Sequence, residues 1–475
     1  MSSKSASLQQ FRNELRAMAR YHWALWLLLA TGCGRTPLDE PSTNPSANAG
    51  GAASEGGASR QGGRGNAAGT EDPRGSGGVT GSGGLMGSGG GAVSGGLVGS
   101  GGVIPTGGVA RTGGEVVSGG VAGTAGTADS VAAGGAAGTT FDPAQPPCDI
   151  YAADGGPCVA AHSTVRRLLS TYNGPLYQVR IGGSNAGTGG VIQDIGFVAA
   201  TGLADSAAQD AACGSSSCTI SRIYDQSGNE NDLTHTPAGG GEKQSADNEA
   251  NATAVYLTAR AQKLYGVHIV AGVGYRSIAA IGTAIGDNPE TEYMVVDATY
   301  FNGACCFEYG NMETSIQDDG EGAAEAVYFG NCVIWNEGGG NGPWVMADLQ
   351  NGLWAGDSSP YGGNPTSPSS WLLVTGMVKA DQAGTHHWTI KEGNAQSSTL
   401  NKVFDRQRPG GAGGKYWTMR KEGAIGLGTA GDNSDGGTGN FYEGIMTAQY
   451  SSDAADTAVQ ANIASVYSLA THAPP

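Results

Sequence analysis

The chain has 475 residues, with 25 Lys plus Arg against 42 Asp plus Glu and a formal charge of -17. That balance disfavours nucleic acid as a partner, because phosphate binding needs basic clusters; it suits solubility and a neutral ligand such as a sugar. Length alone allows two or three domains, but no Phe, Trp or Tyr occurs between Trp26 and Phe141, and a stretch without aromatics buries too little apolar surface to offset chain entropy.

Arg12, Arg16 and Arg20 precede the apolar run Ala24-Leu25-Trp26-Leu27-Leu28-Leu29-Ala30, followed by Thr31, Gly32 and Cys33. A positive segment before a short apolar run predicts a secretory signal over residues 1–33, too short to cross a bilayer. Small residues before Cys33 resemble a bacterial lipobox, which makes Cys33 the lipidated mature N-terminus. Ala30 stands where Leu is usual, so plain signal-peptidase cleavage is the alternative. Gly34 rather than Asp after the cysteine points to the outer membrane or cell surface, with free secretion as the other route. The only membrane contact expected is this lipid anchor.

Residues 34–141 read as a disordered Gly/Ser/Ala-rich tether. Segments such as Gly81-Ser82-Gly83-Gly84 recur irregularly, without the Gly-X-Y period of collagen. No GxG pattern here follows a strand and opens a helix, so none marks a nucleotide site.

A single large domain is expected over residues 142–475. Val165, Leu168, Leu169 and Tyr172 recur at helical spacing after Ser163, and Val459, Ile463, Val466 and Tyr467 do so after Asp453. Between them lie short β-branched or aromatic runs bounded by Gly, Asn, Asp or Pro. These predict strands over Thr219–Tyr224, Glu292–Tyr300, Glu325–Phe329, Trp344–Leu349, Trp371–Val378, His386–Lys391, Gly423–Leu427 and Asn440–Tyr450. Many short strands without alternating helices argue for an all-β sandwich or barrel with a few short helices.

Eight cysteines are present. The short spacings within 148–158 and 213–218 favour local disulfides and an oxidising compartment over metal binding. Cys332, left over after three pairs, reads as a small buried hydrophobe. The adjacent Cys305-Cys306 is either a vicinal disulfide, forming a flat platform for a sugar ring, or two buried thiols. Glycosidic cleavage needs two carboxyl groups flanking the bond. Asp432 and Asp348, each beside a glycine-rich loop, are candidates, although either alone also reads as a turn carboxylate. Trp335 either stacks on a sugar or packs in the core. Asp225, in Tyr224-Asp225-Gln226-Ser227-Gly228, reads as a loop-stabilising residue. No GxSxG elbow supports a serine triad.

Ordered motifs then run through the whole domain. They include Pro147-Cys148-Asp149-Ile150-Tyr151, Pro157-Cys158-Val159-Ala160-Ala161-His162-Ser163-Thr164, Tyr172-Asn173-Gly174-Pro175-Leu176-Tyr177 and Ile223-Tyr224-Asp225-Gln226-Ser227-Gly228. Further on come Ala304-Cys305-Cys306-Phe307, Gly342-Pro343-Trp344, Lys421-Glu422-Gly423-Ala424-Ile425 and Phe441-Tyr442-Glu443-Gly444. Together they resemble the catalytic domain of the α-L-arabinofuranosidases of glycoside hydrolase family 54.

The resemblance implies a jelly-roll β-sandwich of the concanavalin/glucanase kind, with disulfides Cys148–Cys158, Cys213–Cys218 and Cys305–Cys306. It implies removal of terminal arabinofuranose from arabinan and arabinoxylan with retention of configuration. Asp432 would be the general acid/base, and Cys305, Cys306, Trp335, Asp348, Asn351 and Gly431 would touch the sugar. No metal or organic cofactor is implied; the expected partner is an arabinose-containing polysaccharide or oligosaccharide.

Two departures stand out. The family nucleophile, a Glu in Asp-Leu-Glu-Asn-Gly, is here Gln350, and a carboxamide cannot form the usual glycosyl ester. The C-terminal arabinose-binding module of the fungal enzymes is expected to be missing. Hydrolysis would need Asp348 to activate water in an inverting reaction, deamidation of Gln350, or a register one residue off. The competing expectation is an arabinofuranosyl-binding surface protein that does not cleave, and a purely structural surface domain is a third.

Overall fold

The computed structural model describes residues 145–239, 245–333, 338–356, 370–381, 385–410 and 416–472. The signal, Cys33 and the whole tether lie outside them, as does Trp335.

Two large antiparallel sheets face each other. The first runs, in spatial order, Cys158–Ser163, Gly439–Thr447, Glu290–Asp297, Leu373–Ala380, His387–Asn394 and Leu400–Gln407, with Val267–Ile269 also pairing on Gly439–Thr447. The second has ten strands. Its order begins Leu353–Trp354, Trp344–Asp348, Glu325–Gly330, Glu308–Met312 and Ala424–Leu427, then runs through Tyr275–Ser277 to Val191–Ile195 at the far edge. A small third sheet joins Thr471–His472, Tyr256–Ala259 and Gln262–Tyr265.

Alternation along the strands sets the layers. Val327, Phe329, Val345 and Ala347 point into the main core with Val374, Val378 and Ile390 of the facing sheet. Gly376 marks how closely the sheets meet, since a Cβ there would lie 3.0 Å from Val327 and 3.1 Å from Val345. The residues between, Tyr328, Trp344 and Met346, form a separate cluster with Cys305, Cys306 and Ala430 on the other side of the same sheet. That second side carries the candidate site.

The C-terminal helix forms over Asp453–Tyr467, with Ser452 accepting from Ala455 N and two aspartates in its first turn. Buried Asp456 pairs with Lys379 at 2.7 Å and Lys391 at 2.5 Å, pinning the helix to the first sheet. The helix expected after Ser163 does not form. Ser163 Oγ accepts from Val165 N and Arg166 N, Arg166 pairs with Leu203 as an isolated bridge, and Gln226 Oε1 accepts from Leu168 N. Val165 and Leu168 are buried all the same; long-range bonds overrode a local period. Two helices not expected, Pro147–Ala153 and Ser206–Cys213, do form.

Candidate active site

The strand pair Glu325–Gly330 and Trp344–Asp348 ends at Asp348, after which the chain reverses to Leu353. Leu349 N donates to Gly352 O at 2.9 Å, and both central residues are left-handed, Gln350 at φ 52 and Asn351 at φ 58. This is a two-residue hairpin turn of type I′. Asn tolerates that backbone, whereas Gln does so at a cost of roughly 1–2 kcal/mol. The turn is braced: Tyr416 Oη donates to Asn351 O at 2.9 Å, and Asn351 Nδ2 donates to Asp318 Oδ1 at 2.8 Å.

Asp348 is buried. Its Oδ1 accepts from Gln350 N at 2.9 Å, and its Oδ2 lies 3.3 Å from Cys306 Sγ. The carboxyl of buried Glu308 faces that of Asp348, and neither Glu308 oxygen meets a hydrogen-bond donor among the described residues; two carboxyls sit this way only while one keeps its proton. Burial, then the charges of Asp348 and Asp432, hold Glu308 well above the ordinary range. Burial, with the charge of Asp432, pushes Asp348 up to about 7.

Across the pocket, Ala430 N donates to Ser434 O at 2.9 Å and Asn433 N donates to Ala430 O at 2.9 Å, closing a tight loop. At its tip the half-buried Asp432 accepts from Ser434 N at 2.9 Å and Ser434 Oγ at 3.0 Å. Gly431 has to be glycine, because a Cβ there would lie 1.8 Å from Glu313 Oε2 and 2.4 Å from Gln350 Oε1. Arg276, buried on Tyr275–Ser277, ties the two sides together. Its guanidinium donates to Glu313 O at 2.8 Å, to Gly431 O at 3.1 Å and to Ala430 O. Burial lowers its pKa to about 10.

Cys305, Asp348, Gln350, Asn351, Ala430, Asp432 and Ser434 line one pocket. Cys306 stands behind, against Asp348, and Gly431 connects Ala430 to Asp432. Cys148–Cys158, Cys213–Cys218 and Cys305–Cys306 are disulfides, the last across a cis peptide, and Cys332 is a buried thiol. Cys305, Cys306 and Asp348 offer ligand-type atoms within 4.8 Å of one another, but a disulfide sulfur lacks the thiolate charge a metal takes. Glu308, Glu313 and Arg276 escaped the sequence reading. Their one signal was charge inside runs that the sheet would have to bury.

The match to known proteins covers this framework. The sequence profile described as "Alpha-L-arabinofuranosidase B, catalytic" matches residues 147–468. The chain belongs to the α-L-arabinofuranosidase B catalytic family, glycoside hydrolase family 54. A probable α-L-arabinofuranosidase B of Aspergillus fumigatus is 50% identical over 320 residues, 67% of this chain and 61% of that one. Among solved structures, a family 54 arabinofuranosidase mutant with glutamate changed to glutamine, soaked with 4-nitrophenyl α-L-arabinofuranoside, is 45% identical with a TM-score of 0.63, covering 67% of this chain and 65% of that one. An arabinofuranosidase complexed with arabinofuranosyl-α-1,2-xylobiose is likewise 45% identical, at a TM-score of 0.62 with the same coverage. The chain thus spans about three fifths of the length of the curated relatives it matches. For this family 54 member the two-sheet sandwich agrees with the all-β expectation.

Proposed function

We propose that the domain acts on non-reducing-end α-L-arabinofuranosyl groups of arabinan or arabinoxylan side chains, with Asp432 as general acid/base. The observation that carries this is the single pocket in which Asp432, Asp348, Asn351, Gln350 and Cys305 converge. Cys305, Cys306, Asp348, Asn351, Gly431 and Trp335 are assigned to sugar contact. A carboxyl-rich pocket beside a flat disulfide suits a small polar ring with one apolar face. Support comes from the family relatives, one of them complexed with an arabinofuranosyl xylobiose.

Gln350 supports a second reading. A carboxamide at the nucleophile position cannot form a glycosyl ester, so the natural chain would capture arabinofuranosyl groups without retaining hydrolysis. Export is part of the proposal: a signal over 1–33, lipidation at Cys33, a tether over 34–141 and a cell-surface location. Three disulfides fit an oxidising compartment.

Hydrolysis of 4-nitrophenyl α-L-arabinofuranoside by the natural chain, Asp432→Ala and Gln350→Glu tests both readings. Release by the natural chain that Asp432→Ala abolishes makes it a working hydrolase. Silence in the natural chain with release of at least about a hundredfold over background in Gln350→Glu makes it a capture protein on a hydrolase scaffold. Silence in both, with no arabino-oligosaccharide bound, removes the sugar reading.

A further inference from the structure

Glu313 directly follows the strand Glu308–Met312 and is fully buried. Its Oε1 accepts from Asp319 N at 3.1 Å, whereas Oε2 has no hydrogen-bond partner among the described residues. From the point that a Cβ on Gly431 would occupy, Glu313 Oε2 lies at 1.8 Å and Gln350 Oε1 at 2.4 Å. The two oxygens are therefore at most about 4.2 Å apart. A carboxylate oxygen and an amide oxygen are both acceptors, and a buried pair of acceptors this close is unfavourable until a proton lies between them.

The groups that face Glu313 do not supply that proton otherwise. Asp432 and Asp348 act on it from the pocket side as negative charges. Arg276 is the one cation acting on it among the described residues; its two terminal nitrogens donate to the carbonyls of Glu313, Ala430 and Gly431, and its Nε–H reaches no acceptor there, the Glu313 carboxyl included.

We propose that Glu313 is a positioning residue that keeps its carboxyl proton and donates it to Gln350 Oε1, turning Gln350 Nε2 into the pocket as a donor for a sugar oxygen. The sugar half rests on the function proposed above; the proton contact does not. Burial pushes Glu313 up to about 9, so the O–H persists at neutral pH. The same O–H would stabilise an ionised glutamate at position 350. The pocket therefore keeps a donor suited to the residue it lacks, and Gly431 is the space that lets this pair sit against the acid/base loop.

The test is the side-chain amide 1H–15N signal of Gln350 in the full chain, assigned by its loss in Gln350→Glu. The proposal expects that signal to move between about pH 8 and pH 10 as Glu313 ionises, above the range in which Asp348 titrates. It expects no such movement in Glu313→Gln, which keeps a donor but cannot titrate. A signal that holds still in the natural chain, or moves alike in Glu313→Gln, overturns the proposal. Glu313→Asp, which withdraws the carboxyl by one methylene, provides a second variant; an unmoved titration midpoint there also overturns it. Calorimetric titration with arabinofuranosyl-α-1,2-xylobiose judges the sugar half. Binding should weaken about tenfold from pH 8 to pH 10 in the natural chain and stay level in Glu313→Gln. Absence of binding at both pH values counts against the arabinofuranoside site itself, while the amide signal still decides the role of Glu313.

Discussion

Asp348 and Gln350 are tied through the backbone, because the Gln350 N–H that shapes the turn ends on Asp348 Oδ1. The charge of Asp348 therefore bears on where Gln350 sits. Asp348 shares a proton with Glu308, and its pKa stands at about 7, above the ordinary carboxyl range, because of burial first. A carboxyl raised on folding stabilises the fold while protonated, and that contribution is lost as pH climbs through the folded value. The natural chain should lose melting temperature from about pH 5 to pH 8, and Asp348→Asn, which still accepts from protonated Glu308, should lose less. Thermal melts across that range check it; equal slopes would remove the shared proton from the account.

At the scale of elements, what the sequence showed was burial more than path. Strands such as Glu325–Gly330 and Trp344–Asp348 were legible because aromatic and β-branched residues sit between glycines and asparagines. The strand Glu308–Met312 was not, since Glu308, Gly310 and Asn311 are poor strand formers; it exists because both neighbours pair with it. The helix expected at Val165 failed for the converse reason: its period was real, but Gln226 claimed the Leu168 N–H and Arg166 bridged to Leu203. Asp432, Asp348 and Gln350 stood out by their motifs, while Glu313 carried no local mark, because its role depends on Gly431 more than a hundred residues away. The C-terminal helix was legible from its period, and its anchor was not. Asp456→Ala would leave Lys379 and Lys391 without their buried counter-ion and should cost about 3–5 kcal/mol in denaturant unfolding. A loss below about 1 kcal/mol would mean that Asp453 alone holds both lysines.

Across the whole molecule, two sheets enclose acids as well as hydrocarbons. Glu292, Glu308 and Glu313 are all fully buried, and burial raises each of them. The unfolded chain would leave them at ordinary carboxyl values, ionised at neutral pH. His162, buried and lowered, works in the other direction but is largely neutral in both states at pH 7. Folding thus takes up hydrogen ions at neutral pH and unfolding returns them. Melting enthalpies measured at pH 7 in buffers of different ionisation enthalpy should diverge, giving a release of two or more protons per chain, roughly one for each raised acid. A release near zero would mean that these carboxyls are charged in the folded state. With the expected result, the sandwich interior behaves as a small acid store: a weakly buffered solution around melting protein would itself turn slightly sour.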